Sequence, residues 1–181
     1  MGDYTTPAED AKKIREALKA RGWNQRDVSV RARSYSMGSS IDVTIKTARP
    51  DHGEVEALAR GIAERISRCE STGDILGGGN RFVNVSVSDA AEAELGAPHV
   101  AGLRAAVSEM RGTGDGNQLF PIGIDGFHVG PMHGNAGSSF AQVWGDRGTV
   151  GPGFNCETER GLLAGAAQVE RELRRRARSD A

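Results

Sequence analysis

Three observations predict an α+β protein. Residues 27–46 alternate apolar and polar side chains in two runs around a polar, glycine-containing turn. That period of two is produced by an antiparallel strand pair with one face buried and one in water. Helical stripes lie on both sides of this hairpin, and a third alternating run, from Arg81 to Ser88, follows the second stripe. From Gly112 onward, glycine-rich β-like pieces precede one long amphipathic helix. The prediction is an N-terminal α-β-β-α-β unit over residues 1–89, with a three-stranded sheet in the order 2-1-3. Residues 90–181 are predicted to form glycine-rich β hairpins closed by a long helix. The two halves stand either as separate domains or on one shared core; the sequence leaves both open.

The first helix is expected to start at Thr6-Pro7, where threonine caps and proline suits the first helical position. Glu9 and Asp10 favour the positive helix end. Ala11, Ile14, Ala17 and Leu18 make the stripe, and Arg21-Gly22 stops it. In the hairpin, Val28, Val30 and Ala32 share one face, as do Ile41, Val43 and Ile45, and Ile41 and Val43 are expected to face the helices. Pro50-Asp51 opens a second helix, with Val55, Leu58, Ile62 and Ile66 inward and an end near Cys69. Ser71 to Asn80 reads as a loop by composition. In the third strand, Val83, Val85 and Val87 alternate with Asn84, Ser86 and Ser88.

A right-handed crossover to this strand gives the 2-1-3 order, with the Arg31/Arg33 strand in the middle. Asp89 caps a short helix, and a further helix runs from about Pro98 to Arg111, with Val100, Leu103, Val107 and Met110 inward. β-like pieces follow at 119–124, 127–129, 139–144 and 149–154. Asp125-x-x-x-Val-Gly-Pro131 and Asp146-x-x-x-Val-Gly-Pro152 echo each other, as a repeated strand-turn unit would. The last helix has Asn155 as its expected cap, Leu162, Leu163, Ala166, Val169 and Leu173 as its stripe, and a basic end through Arg178.

The 181 residues suffice for one good core or two small ones. The 25 glycines are about twice the average usage of roughly 7%. A net charge of −1 with 26% charged residues favours neither nucleic acid nor membrane as a partner. Cys69 and Cys156 lie far apart without metal-ligand spacing, which fits a reducing cytoplasm rather than a disulfide framework. No stretch approaches the roughly 20 apolar residues of a membrane span.

Four groups of residues carry candidate chemistry. Arg31 and Arg33 share a strand face with Ser29, Thr44, Lys46, Asn84 and Ser86. Arginine forks on such a platform suit an acidic protein surface or phosphate; the alternative is a solvated face on which Asp42 pairs an arginine. His128 and His133, with Cys156 downstream, are metal-ligand types, but a structural zinc needs four ligands, and no metal or cofactor is expected. The glycine-rich loop 128–139 is the most enzyme-like stretch, because its backbone N–H groups suit an anion. His133, Ser138 or Ser139 and Asp146 are the residue types of a hydrolytic triad there. The alternative is a pair of turns that need glycine. Arg174, Arg175, Arg176 and Arg178 form a basic helix end that suits the helix dipole or a nucleic-acid backbone.

The wording Val30-Arg-x-x-Ser-Tyr-Ser-Met-Gly-Ser-Ser-Ile-Asp-Val43, preceded by a helix like Ala11-Lys-Lys-Ile-Arg-Glu-Ala-Leu18, resembles the large polyvalent protein-associated domain number 29 family. The resemblance covers residues 8 to about 88. It implies a phage or conjugative-element setting and brings no catalytic residue with it. The expected function is a non-enzymatic accessory protein that binds a protein partner through Arg31, Arg33, Lys46 and Asn84. A hydrolase or transferase using loop 128–139 (His128, His133, Ser139) is the second reading. A nucleic-acid binder using the Arg31/Arg33 face and the terminal arginines is the third.

Overall fold

The computed structural model describes residues 5–36, 38–64, 66–68, 71–72, 75–78, 81–113, 116–132 and 138–179, with backbone alone at 66–68 and 75–78. The chain divides into two units, Met1–Ala91 and Glu92–Ala181. Each contains its own buried apolar cluster.

In the first unit, α1 (Pro7–Ala20) opens with a capping box. Thr6 Oγ1 accepts from the Glu9 N–H at 3.2 Å, and the Glu9 carboxylate accepts from the Thr6 N–H at 2.7 Å. Two donors that the helix itself leaves unpaired are thereby satisfied. At its other end Gly22 takes a φ of +80°, open to glycine at little cost, and the helix stops. β1 (Val28–Tyr35) and β2 (Gly38–Ile45) form the antiparallel hairpin, in register from Val28 opposite Ile45 to Tyr35 opposite Gly38. α2 (His52–Ala63) is capped by Asp51, whose Oδ1 accepts from the Glu54 N–H at 2.9 Å. A small hairpin follows, β3 (Ile66–Arg68) with β4 (Ile75–Gly78), and then β5 (Arg81–Val87).

Three expectations change here. The sheet order is β1-β2-β5, so β2 rather than the Arg31/Arg33 strand is central. β5 runs parallel to β2 and lies directly beside it, Ile41 opposite Val83 and Val43 opposite Val85. The sequence of the two strands explains the choice. β2 supplies three branched residues that are essentially inaccessible, Ile41, Val43 and Ile45. β1 is exposed from Arg31 to Tyr35 and carries arginines at alternate positions, a composition that tolerates an edge and not a centre. The second helix ends at Ala63 and not near Cys69, and Ile75–Gly78 is a strand rather than loop. Pairing of Ile66–Arg68 with Ile75–Gly78 overrides the helical spacing of Ile66. Cys69 itself lies outside the described residues.

The expected facing of the hairpin holds. Ile41 and Val43 belong to one cluster with Ala11, Ile14 and Leu18 of α1 and Val55, Ala59 and Ala63 of α2. Asp42 and Thr44 are on the other face, half-exposed.

One buried ion pair fastens this layer. Arg81, 5% exposed, donates to the carboxylate of Asp10, which is fully buried. It also donates to Ser39 Oγ at 3.3 Å and to the Thr5 carbonyl at 2.7 Å. The start of α1, the start of β2 and the start of β5 therefore meet on a single guanidinium.

The second unit holds α3 (Asp89–Gly96, which begins in the first), α4 (Val100–Thr113), an antiparallel sheet and α5 (Glu159–Ser179). The strands are β6 (Phe120–Pro121), β7 (His128–Pro131), β8 (Phe140–Gly145), β9 (Gly148–Thr149) and β10 (Phe154–Asn155). Their order is β10-β8-β7-β6, with β9 hairpinned onto β8. α4 and α5 cover one face, enclosing Leu103, Met110, Phe120, Phe127, Val129, Val143, Leu162 and Val169. Gly165 lets α5 approach β10: a Cβ there would lie 2.8 Å from the Phe154 ring. The cap of α5 is Thr158, whose Oγ1 accepts from the Gly161 N–H at 3.1 Å. Asn155, the expected cap, accepts instead from the Glu157 N–H at 2.9 Å. The echo at 125–131 and 146–152 is no structural repeat, because Val129-Gly-Pro131 is in β7 whereas Val150-Gly-Pro152 follows β9 outside any strand.

Removing one partner of a buried pair leaves the other charge uncompensated, which costs about 3–5 kcal/mol. Arg81→Leu is therefore expected to lower stability by about that amount in a denaturant titration. Arg81→Leu with Asp10→Leu should recover most of the loss. Strictly additive losses would mean the two side chains are not coupled.

Candidate functional site

The polar face of the first sheet brings together residues from all three strands. Arg31 and Arg33 stand on the edge strand, Asp42 and Thr44 on the centre, and Asn84 and Ser86 on the far strand. Asp42 is the hub. Arg33 Nε lies 3.0 Å from its Oδ2, and Asn84 Nδ2 donates to its Oδ1 at 3.0 Å. Ser86 Oγ donates to Thr44 Oγ1 at 3.3 Å. The pairing of Asp42 with an arginine, which belongs to the alternative reading of a solvated face, takes Arg33. Among the described residues neither Arg31 nor Lys46 has an ion-pair partner, and Arg31 is exposed. Among the described residues the one carboxylate of this face is engaged, and two cations are left over.

Around the edge of β1 the surface becomes concave. Leu18 and Lys19 of α1, Trp23, and Val28 and Val30 of β1 line a groove of about 330 Å³, with Arg15 at its rim. Arg15 Nη2 donates to the Val30 carbonyl at 2.8 Å, which shows that this carbonyl points away from β2. The turn at the groove's end is held by the buried Asp27. Its carboxyl is kept below the usual range, first by the Asn24 backbone N–H, against the opposing effect of burial, and further by Thr47 and Arg49. No pattern in the chain had singled out this groove.

The sequence did contain a signal for the Arg81–Asp10 pair. Arg81 shares strand parity with Val83, Val85 and Val87, and Asp10 shares the helical stripe of Ile14 and Leu18. A charge on each of two buried faces points to a buried partner.

The other candidate groups do not assemble into a site among the described residues. His128 lies on β7 opposite Trp144 and Pro121. His133 is outside the described residues. Ser138 Oγ accepts from the Phe140 N–H at 3.1 Å, closing a local turn. The Ser139 carbonyl accepts from the Cys156 N–H at 2.9 Å. Asp146 is paired with Arg176 at 3.0 Å. Burial pushes the Cys156 thiol up, the opposite of what a nucleophile or ligand requires. No group of three or more metal-ligating side chains occurs among the described residues.

The terminal arginines are largely consumed by acids of their own helix and its neighbour. Arg174 pairs with Glu170, Arg175 and Arg176 both hold Glu172, and Arg176 also reaches Asp146. The Arg176 guanidinium lies over the Phe127 ring, 4.4 Å from its centre. Arg174 and Arg175 pair within α5, and Arg176 alone ties the helix to the turn after β8.

The chain has no match among protein-family models, curated proteins or solved structures. No helix among the described residues is long and apolar enough to cross a membrane.

Hydrogen bonds from Arg175, opposed by burial and reinforced by Arg176, lower Glu172 from its ordinary 4.5 to about 2. A depressed carboxylate contributes stability that is complete above its unfolded value and vanishes as pH falls through the folded one. Thermal stability is therefore expected to drop as pH falls from about 4.5 to about 2. Glu172→Gln should be less stable than the parent at neutral pH and flatter across that window. An unchanged slope would mean that other carboxylates govern the acid limb.

Proposed function

We propose that the chain is a non-enzymatic interaction protein that holds an acidic protein partner against the Arg31/Arg33 face of its first sheet. The observation that carries this reading is the charge imbalance of that face. Among the described residues its only carboxylate, Asp42, is already engaged by Arg33 and Asn84, while Arg31 and Lys46 have no acid of their own. Acidic side chains docking there meet uncommitted cations at two places on the face and displace no internal pair. Arginine, with tryptophan and tyrosine, is also among the residue types enriched at the anchor points of protein interfaces.

A protein partner is favoured over nucleic acid by the arrangement of the remaining charge. The terminal arginines that could bind phosphate on their own account, Arg174, Arg175 and Arg176, are paired with Glu170, Glu172 and Asp146. The resemblance of residues 8–88 supports a phage or mobile-element setting, and the absence of a disulfide pattern supports work in the cytoplasm.

The test is binding measured with variants on this face. Arg31→Glu with Arg33→Glu is expected to abolish capture of a polyglutamate-bearing bait. Melting temperature should stay within a few degrees, because both side chains are exposed. Wild-type protein should show no nucleic-acid binding at physiological salt. Duplex binding whose logarithm falls steeply with log salt, and which the same double substitution removes, would overturn the reading.

A further inference from the structure

Among the described residues no strand pairs with the outer edge of β1, which runs beside the groove at α1, and the arginines of the polar face stand on that same strand. We infer that the partner is taken up as an extended segment that adds to β1 as a fourth strand, with acidic and apolar side chains in alternation. This rests on the reading that the Arg31/Arg33 face binds an acidic partner.

Backbone direction comes first. In an antiparallel pair the N–H and C=O groups of successive residues point alternately towards and away from the partner strand. The Asp27 carbonyl accepts from Lys46 N–H at 2.7 Å, towards β2, and the Val30 carbonyl accepts from Arg15, away from it. Val28, Val30, Ala32 and Ser34 therefore present their polar backbone outward. The Val28 N–H already donates to the Asn24 carbonyl at 2.9 Å and Arg15 occupies the Val30 carbonyl, while Ala32 and Ser34 lie in the exposed half of the strand. An incoming strand supplies the missing donors and acceptors there, the usual source of affinity in strand addition.

Side-chain direction then fixes the ligand's pattern. Alternate residues of an added strand fall on opposite faces. One set lies beside Arg31 and Arg33, where carboxylates are favoured and like charges are not. The other set lies on the α1 side, where Leu18, Trp23, Val28 and Val30 make an apolar groove with Lys19 at its rim. The same charge rule disfavours a second copy of this chain as the occupant. Antiparallel pairing of β1 with itself would bring Arg31 and Arg33 together with their own copies across the edge, arginine against arginine. An acidic segment with apolar residues at every second position satisfies both faces.

The experiment is selection of a random peptide library displayed on phage against the full chain, followed by measurements on synthetic peptides of the selected sequences. The expected peptides alternate Asp or Glu with large apolar residues. Binding should protect the Ala32 and Ser34 amides from hydrogen exchange. Affinity should fall at least about tenfold with Arg31→Glu/Arg33→Glu, and similarly when the peptide is N-methylated on its strand-pairing amides, a change that leaves the protein intact. Acidic peptides without alternation, lost on the arginine substitutions but insensitive to N-methylation, would overturn strand addition and leave the acidic-surface reading standing. Selection of peptides without acids would overturn both. Self-association of the unsubstituted chain that protects the Ala32 and Ser34 amides from exchange would overturn the acidic segment in favour of a second copy.

Discussion

The Arg81 guanidinium is the constraint on which the first unit depends. It holds Asp10 in the first turn of α1, Ser39 at the start of β2 and the Thr5 carbonyl ahead of the helix. Once these are fixed to the first residue of β5, that strand must begin beside β2, and α1 must start over the same end of the sheet. β1 is then left outside. A buried ion pair is a poor source of net stability, because desolvation offsets much of the attraction. Its effect is on arrangement: any packing that separates these segments leaves a buried charge alone.

From that arrangement the candidate site follows. With β2 central, its Asp42 is held by neighbours from both sides, and Thr44 by Ser86 of β5. The edge strand retains its outward backbone and its arginines. Edge charges commonly protect a sheet from unwanted pairing. On the reading proposed above, the same charges would select the added chain, since like charges across an edge are unfavourable and opposite ones favourable. The second unit contributes differently. Its basic helix end, conspicuous in the sequence, is absorbed into ion pairs within α5, and Arg176 alone ties the helix to the turn after β8.

The sequence makes some of this legible and conceals the rest for identifiable reasons. Alternation in the hairpin gave the right faces, since Ile41 and Val43 are buried and Asp42 and Thr44 are not. Capping chemistry located α1 and the opening of α2 because it is local. Strand order is not local. It turns on which strand is buried from both sides and on Arg81 reaching Asp10 far back in the chain, whereas the simple crossover rule weighed neither. The end of α2 was missed because Ile66 fits a helical stripe and a strand equally well, and pairing with Ile75–Gly78 decides between them. Among site residues, Arg31, Arg33 and Asn84 are on one face as expected. The groove at Trp23 was invisible, being made by two segments whose apolar residues each read as core.

Amide hydrogen exchange along β1 tests the edge assignment most directly. The expected profile alternates: Ser29, Arg31 and Arg33, facing β2, exchange slowly, and Ala32 and Ser34, facing water, exchange fast. Uniform protection from Ser29 to Ser34 in the free protein would contradict it, since it would place a strand on both sides of β1.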